Sequence, residues 1–200
     1  MIKIQNLKKA YKDCVALDTV SMHIRKGEFV AIIGASGSGK TTMLNIIGGL
    51  DTDYMGSCVV RNKEMSSLSD VECCTLRSRY ISYVYQFFNL ISFLTVKENV
   101  CLTSQIKGKK VDAKELNQVL KLLGLEHKKD SFINELSGGQ QQRVAIGRAI
   151  LAHTDIILAD EPTGNLDGEN AKNVMDILKA LNKEGKTIVL VTHDLKIANY

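Results

Sequence analysis

No stretch of the sequence approaches the roughly 20 consecutive apolar residues that span a bilayer, which argues against a membrane helix. There is no internal repeat and no low-complexity stretch, and proline occurs once, at Pro162. The five cysteines (Cys14, Cys58, Cys73, Cys74 and Cys101) form no CxxC metal pattern, and their odd number fits reduced thiols in a cytosol. Charge is nearly balanced. Lys plus Arg number 26 against 22 Asp plus Glu, a net +4, whereas nucleic-acid binding asks for a clustered basic face, so no nucleic-acid partner is expected. The opening residues, MIKIQNLKK, alternate too early and stay too polar to read as a signal peptide. What is present is ordinary for a globular protein: 200 residues, 44% apolar and 24% charged, enough for one domain with a sizeable core and unlike a disordered chain.

Alternating runs at Ile2-Lys3-Ile4 and Val20 to Ile24 predict strands, and the continuous apolar run Phe29 to Ile33 predicts a strand buried on both faces. A glycine-rich turn follows, and Met43 to Ile47 reads as a helix. Residues from about 87 to 136 read as helical. There Asp112 with Glu115 predicts a capping box, Leu116, Val119, Leu120 and Leu123 recur at helical spacing, and Gly124 marks a stop. Buried-strand runs at Ile156 to Ala159 and Thr187 to Val191 flank a helix marked by Val174, Ile177, Leu178 and Leu181 and ending near Gly185. Strand–helix–strand alternation implies a parallel sheet covered on both faces. The fold class is α/β with a helical insertion.

Gly34-Ala35-Ser36-Gly37-Ser38-Gly39-Lys40-Thr41 fits G-x-x-x-x-G-K-[ST] between a buried strand and a helix. Glycines let the backbone curl with its N–H groups inward, and the helix N-terminus adds positive potential. Lys40 is placed to bridge the outer phosphates of a nucleoside triphosphate, and the Thr41 hydroxyl to ligate Mg²⁺. By itself this leaves kinases, GTPases and motor ATPases open. Asp160-Glu161 closes an apolar run, so both carboxylates fall at the C-terminal end of a strand, where such sheets place ligands. Asp160 suits a Mg²⁺ held through water, and Glu161 a general base toward the attacking water. Ser137-Gly138-Gly139-Gln140, preceded by Leu136 and followed by the helical run Gln141 to Ala152, forms a second anion site at a helix N-terminus. One nucleotide does not easily need both sites from one chain, so the second is expected to serve a partner copy's nucleotide.

At this point the sequence resembles the ATP-binding cassette (ABC) ATPases, in which LSGGQ is the defining signature and two chains sandwich two ATP molecules. The resemblance covers essentially the whole chain. It implies a P-loop NTPase core with a mainly parallel sheet, an N-terminal antiparallel β portion and an inserted helical subdomain, with 1–86 and 137–200 as core plus β portion and 87–136 as the helical lobe. It implies ATP and Mg²⁺ as ligands, bound through Tyr11, which stacks on adenine, through Gly34, Ser36, Gly37, Ser38, Gly39, Lys40, Thr41 and Thr42 around the phosphates, and through the partner's signature, Ser137, Gly138, Gly139 and Gln140. Gln86 matches the glutamine that touches Mg²⁺ and the attacking water, so the metal set is Thr41, Gln86 and Asp160. Asp167, in Gly164-Asn165-Leu166-Asp167, matches the loop that crosses the dimer interface. His193 matches the histidine that contacts the γ-phosphate and orders the water, joining Glu161 and Gln86 in catalysis.

Chromosome-organising and break-repair members insert long coiled coils between the Lys40-type and Ser137-type motifs, and translation-factor members carry two cassettes. Here the interval is short, without sustained heptads, and there is one cassette. The expected function is therefore the ATPase subunit of a transporter, a head-to-tail homodimer driving an integral membrane permease from the cytoplasmic face of the membrane. The stretches Ile47 to Asp51, Tyr85 to Ile91 and Glu161 to Asp167 resemble the macrolide and antimicrobial-peptide efflux and lipoprotein-release group, with the division-associated cassette a close relative. Phe87, Ser92 and Gly147 depart from the glutamine, proline and alanine expected at those positions. Family members continue beyond His193 with a strand pair and a helix, so the C-terminus at Tyr200 reads as truncated, with apolar surface near 194–200 uncovered.

Overall fold

Alternation along the first strand sets one wall of the core: in β1 (Ile2–Tyr11) the inward positions are Ile2, Ile4, Leu7 and, unexpectedly, Lys9. The computed structural model describes residues 1–12 and 14–200. In chain order the further elements are β2 (Cys14–Ile24), β3 (Phe29–Ile33), α1 (Lys40–Ile47), β4 (Met55–Val60), β5 (Lys63–Glu64), α2 (Asp70–Tyr80), β6 (Ile81–Val84), α3 (Val96–Ile106), α4 (Ala113–Leu122), α5 (Gly138–Leu151), β7 (Ile156–Asp160), α6 (Gly168–Lys183), β8 (Thr187–Thr192) and α7 (Leu195–Ala198). They build two four-stranded sheets. One is antiparallel in the order β2-β1-β4-β5; the other is parallel in the order β3-β8-β7-β6.

The parallel sheet separates two hydrophobic clusters, because side chains alternate across a strand. Ile157, Ala159, Ile188 and Leu190 face a cluster built with α3, α4, α5 and α6. Ile156, Leu158, Val189 and Val191 face the other, built with α1, α2 and the antiparallel sheet. The central strands β7 and β8 are covered on both faces, as their apolar runs predict. β3 packs Phe29 and Ala31 on the first cluster and Val30 and Ile32 on the second, but it stands at the sheet edge with β8 as its neighbour, so its residues are only half-buried and Ile33 is 48% exposed. An apolar run marks contact on both faces but does not tell an edge from a centre.

Between residues 87 and 136 stand α3 and α4, with short 3₁₀ turns at Glu126–Lys128 and Ile133–Glu135 leading from α4 to α5, and residues 85–94 form a loop rather than helix. Helix α4 starts after Asp112 and ends as expected: Gly124 takes φ +64°, and the N–H of Leu125 reaches back to the carbonyl of Leu120 at 2.9 Å. The expected Asp112–Glu115 box does not form. The Asp112 side chain makes no capping bond, and Glu115 pairs instead with His153 Nε2 at 2.8 Å. Reciprocal boxes stand at Ser69–Glu72, Thr95–Glu98 and Ser137–Gln140. At the last residues Ile197 and Tyr200 pack on the first cluster while Leu195 is 62% exposed. No described helix is long and apolar enough to cross a membrane.

Candidate functional site

Four segments converge at the C-terminal edge of the parallel sheet: the loop after β3, Gln86 shortly after β6, Asp160-Glu161 at the end of β7, and His193 after β8. The loop after β3 is tied to β8 by Gly34 N–H donating to the Thr192 carbonyl at 3.4 Å. It owes its course to glycine. Gly39, the N-cap of α1, has φ +86°, and a Cβ there would sit 2.1 Å from the Ala16 carbonyl oxygen.

Lys40 is 93% buried, since only 7% of its surface is exposed, and its ammonium donates to the carbonyls of Gly34 at 2.9 Å and Ala35 at 2.8 Å. It also lies 3.6 Å from Glu161 Oε1. The other Glu161 oxygen, Oε2, is 2.6 Å from His193 Nδ1. Glu161 holds this bridging position with φ +44°, a left-handed conformation costly for a residue with a Cβ, and its N–H donates to the Val191 carbonyl at 3.0 Å. Beside it, the Thr41 hydroxyl donates to the Asp160 carboxylate at 3.0 and 3.2 Å. Burial pushes the Asp160 carboxyl above its ordinary range, with the Glu161 charge adding to the rise while the Thr41 hydroxyl and Lys40 oppose it.

These groups border a cleft of about 400 Å³ lined by Tyr11, Ser36, Gly37, Gly39, Lys40, Thr41, Thr42, Gln86, Asp160 and Glu161, with Cys14 and Ala16. Gly34 and Ser38, in the same loop, do not line the cleft, and a Cβ on Gly34 would meet Ser38 Oγ at 2.3 Å. Gln86 reaches the cleft and is tied to Asn165: its Nε2 donates to Asn165 Oδ1 at 3.4 Å, and Asn165 Nδ2 donates to the Gln86 backbone carbonyl at 3.1 Å. The sequence-predicted Ser137, Gly138, Gly139, Gln140 and Asp167 do not line this cleft. They stand at the N-termini of α5 and α6, where Ser137 caps α5 and Asp167 caps α6 by accepting from the Asn170 N–H at 2.8 Å. Those Asn170 bonds, backbone first, hold the Asp167 carboxyl below the usual range. The two N-termini touch closely, since a Cβ on Gly139 would fall 2.2 Å from Asn170 Oδ1.

Three residues that sequence reading did not single out for the site support it. Asp51 accepts from the Tyr11 hydroxyl at 2.7 Å and from Lys9 Nζ at 2.9 Å, and the Lys9 ammonium lies 4.8 Å from the Tyr11 ring centroid. A lysine continuing the Ile2, Ile4, Leu7 register was the available signal. Arg148 of α5 donates to the carbonyls of Asn89 at 2.7 Å and Phe88 at 3.2 Å, holding the loop that follows Gln86. The departure at Gly147 also has a packing reason: a Cβ there would meet Leu123 Cδ1 at 2.7 Å and Val100 Cγ2 at 3.1 Å.

Comparison with known proteins agrees with this architecture. Residues 17–164 match the family described as ABC transporter. The chain is 50% identical over 200 residues to the "Macrolide export ATP-binding/permease protein MacB" of Campylobacter jejuni subsp. jejuni, covering 99% of the chain and 31% of that relative. It is 44% identical over 200 residues to the "Lipoprotein-releasing system ATP-binding protein LolD" of Aquifex aeolicus, covering 99% of the chain and 89% of that relative. The chain thus spans 31% of the length of the former relative. Among solved structures it superposes on the ATP-binding cassette MJ0796 of Methanocaldococcus jannaschii, in a dimeric post-hydrolysis state bound to ADP and Pi, with a TM-score of 0.87 at 43% identity over 99% of this chain and 90% of that one. The fold is that of the ABC ATPase cassettes, and on the strength of this match along nearly its whole length the chain belongs to the ABC transporter family.

Proposed function

We propose that this chain binds and hydrolyses ATP, that two copies close head-to-tail around two nucleotides, and that closure drives a membrane permease in efflux or lipoprotein release. The observation that carries the reading is the Glu161 carboxylate, shared between Lys40 at 3.6 Å and His193 at 2.6 Å at the edge of a cleft lined by the phosphate loop. Tyr11 offers a ring for the adenine. Lys40 exchanges the Gly34 and Ala35 carbonyls for phosphate oxygens, a swap that leaves the buried ammonium with charged acceptors. Glu161 takes a proton from water as the water oxygen bonds to the γ-phosphorus and the bond to ADP breaks, while His193 holds the carboxylate in line.

The Thr41 hydroxyl and Asp160 carboxylate form a pair of hard oxygen donors, and among the described residues no cluster of three His, Cys, Asp or Glu competes with it. Hard oxygen donors of this kind fit Mg²⁺. Thr41 and Asp160, with Gln86 released from Asn165, would hold the ion, which supplies charge neutralisation on the phosphates when bound.

The signature residues lie outside the cleft of their own chain, which supports their serving a second copy: Ser137 and Gly139 complete the partner's γ-phosphate shell, with Gly138, Gln140 and Asp167 at the same interface. The exposed rings of Phe87 and Phe93, on the loop after Gln86, support docking of a permease helix beside 87–136, the lobe we assign as the helical subdomain. The chain would then sit peripherally on the inner face of the cell membrane. The test is affinity capture of the Glu161→Gln chain with Mg·ATP from detergent-solubilised membranes. Co-purification of an integral membrane protein is expected; recovery of ribosomes or nucleic acid alone would overturn the transporter assignment.

A further inference from the structure

Lys9 occupies an inward position of β1, its side chain 94% buried with 6% exposed, in the row begun by Ile2, Ile4 and Leu7. A charge there is tolerable only if paired. Its ammonium meets Asp51 Oδ1 at 2.9 Å, the Asp53 carbonyl, and Asp53 Oδ2 at 3.4 Å. Asp51 is saturated in turn: besides Lys9 it accepts from the Tyr11 hydroxyl at 2.7 Å and the Asp53 N–H at 3.1 Å. Tyr11 itself is 47% exposed.

We infer that Asp51, held in place by the buried Lys9, is a positioning residue that locks the Tyr11 ring as a preset platform for the nucleobase, leaving one ring face open. This rests on the ATP reading above and goes beyond it by assigning base affinity to a pair outside the cleft lining. The other face of the ring is covered, with the Lys9 ammonium 4.8 Å from its centroid. Asp51 lies four residues past the last residue of α1, and the Leu50 and Asp51 N–H groups both return to the Asn45 carbonyl within that helix, at 2.8 and 3.3 Å. The base platform is therefore tethered to the same helix whose N-terminus forms the phosphate loop, and the two halves of a nucleotide are read by one rigid piece. A ring already immobilised loses less freedom when a base stacks on it, so the tether strengthens base-dependent binding and leaves phosphate binding alone.

The test is equilibrium binding of ATP and of inorganic tripolyphosphate, each with Mg²⁺, to the full chain and to Asp51→Ala, Tyr11→Phe and the double variant. Tyr11→Phe keeps the ring, loses the tether and alters a half-exposed side chain, so it carries the test should Asp51→Ala fail to fold. Each single variant is expected to bind ATP about five- to tenfold more weakly, to bind tripolyphosphate within about twofold of the unaltered chain, and to show no further loss when combined. Unchanged ATP affinity in both variants would overturn the inference. So would equal losses for both ligands, which would make Asp51 a support of the phosphate loop, or additive losses in the double variant. An unaltered chain that binds both ligands equally well would remove the base platform while keeping the phosphate site, whereas one that binds neither would remove the ATP reading itself.

Discussion

Glu161 and His193 share a hydrogen bond of 2.6 Å from a backbone that is strained at Glu161, with φ +44°. The strain aims the carboxylate back across the end of β7, toward both the imidazole and the Lys40 ammonium, and a relaxed extended residue would carry it away. Replacing Glu161 by Gln keeps shape and strain but removes the proton acceptor. ATP binding should persist while phosphate release falls about 10²- to 10⁴-fold, with an ATP-bound dimer accumulating in light scattering. Turnover at the normal rate would show that Glu161 is not the base.

Arg148 restrains a second strained segment. Phe88 and Asn89 have φ of +60° and +48°, and both carbonyls accept from the one guanidinium. Burial pushes the Arg148 pKa down, so its charge needs these acceptors. Arg148→Ala should cost about 2 kcal/mol in chemical denaturation, and amide exchange should accelerate first at 87–90. Arg148→Lys should recover less than half of the loss, because an ammonium cannot reproduce the planar fork.

Gly48 is demanded by a neighbour 35 positions along the chain, since a Cβ there would fall 1.5 Å from the Tyr83 hydroxyl, which itself donates to the Leu44 carbonyl at 3.1 Å. Gly48→Ala should destabilise by about 1–3 kcal/mol. Tyr83→Phe in the same chain should recover part of that loss, which a double-mutant cycle on melting would read. Purely additive effects would contradict the contact.

Glu64 supplies a test by acid. Burial pushes its pKa up, but donation from Ser57, the Cys58 N–H and Tyr54 outweighs burial and holds the carboxyl below its ordinary 4.5. A depressed folded value stabilises the fold above pH 4.5, and that contribution fades as pH falls through the folded value. Glu64→Gln should therefore be less stable than the unaltered chain by about 2 kcal/mol at pH 7, with the gap closing in acid below that range. A gap of constant size down to pH 3 would refute the charge-based account.

Local rules made much of the site readable. The phosphate loop is a run of glycines followed by lysine and a hydroxyl, and its course depends on backbone freedom encoded residue by residue. Asp160-Glu161 is legible because an apolar run of strand length leads straight to it. The helix faces of α4 and α6 follow from the 3.6-residue period, and the Gly124 stop from a glycine placed just past the last periodic residue. The Ser69–Glu72 and Thr95–Glu98 boxes were equally open to reading, since each is a three-residue spacing that brings two side chains to one helix end.

By itself, then, the sequence determined the strand and helix periods, the anion-binding turns and the family that their order implies, because these depend on neighbours within a few residues. Tertiary structure alone decided that β3 lies at an edge, that Glu115 leaves its helix start for His153, that Gln86 rests on Asn165, and that Lys9, Tyr11 and Asp51 form one network. Each depends on which distant segments share a register or a surface. Sheet order and side-chain pairing across 42 positions of chain, as between Lys9 and Asp51, are set by burial and charge compensation in the folded molecule, which no local window contains.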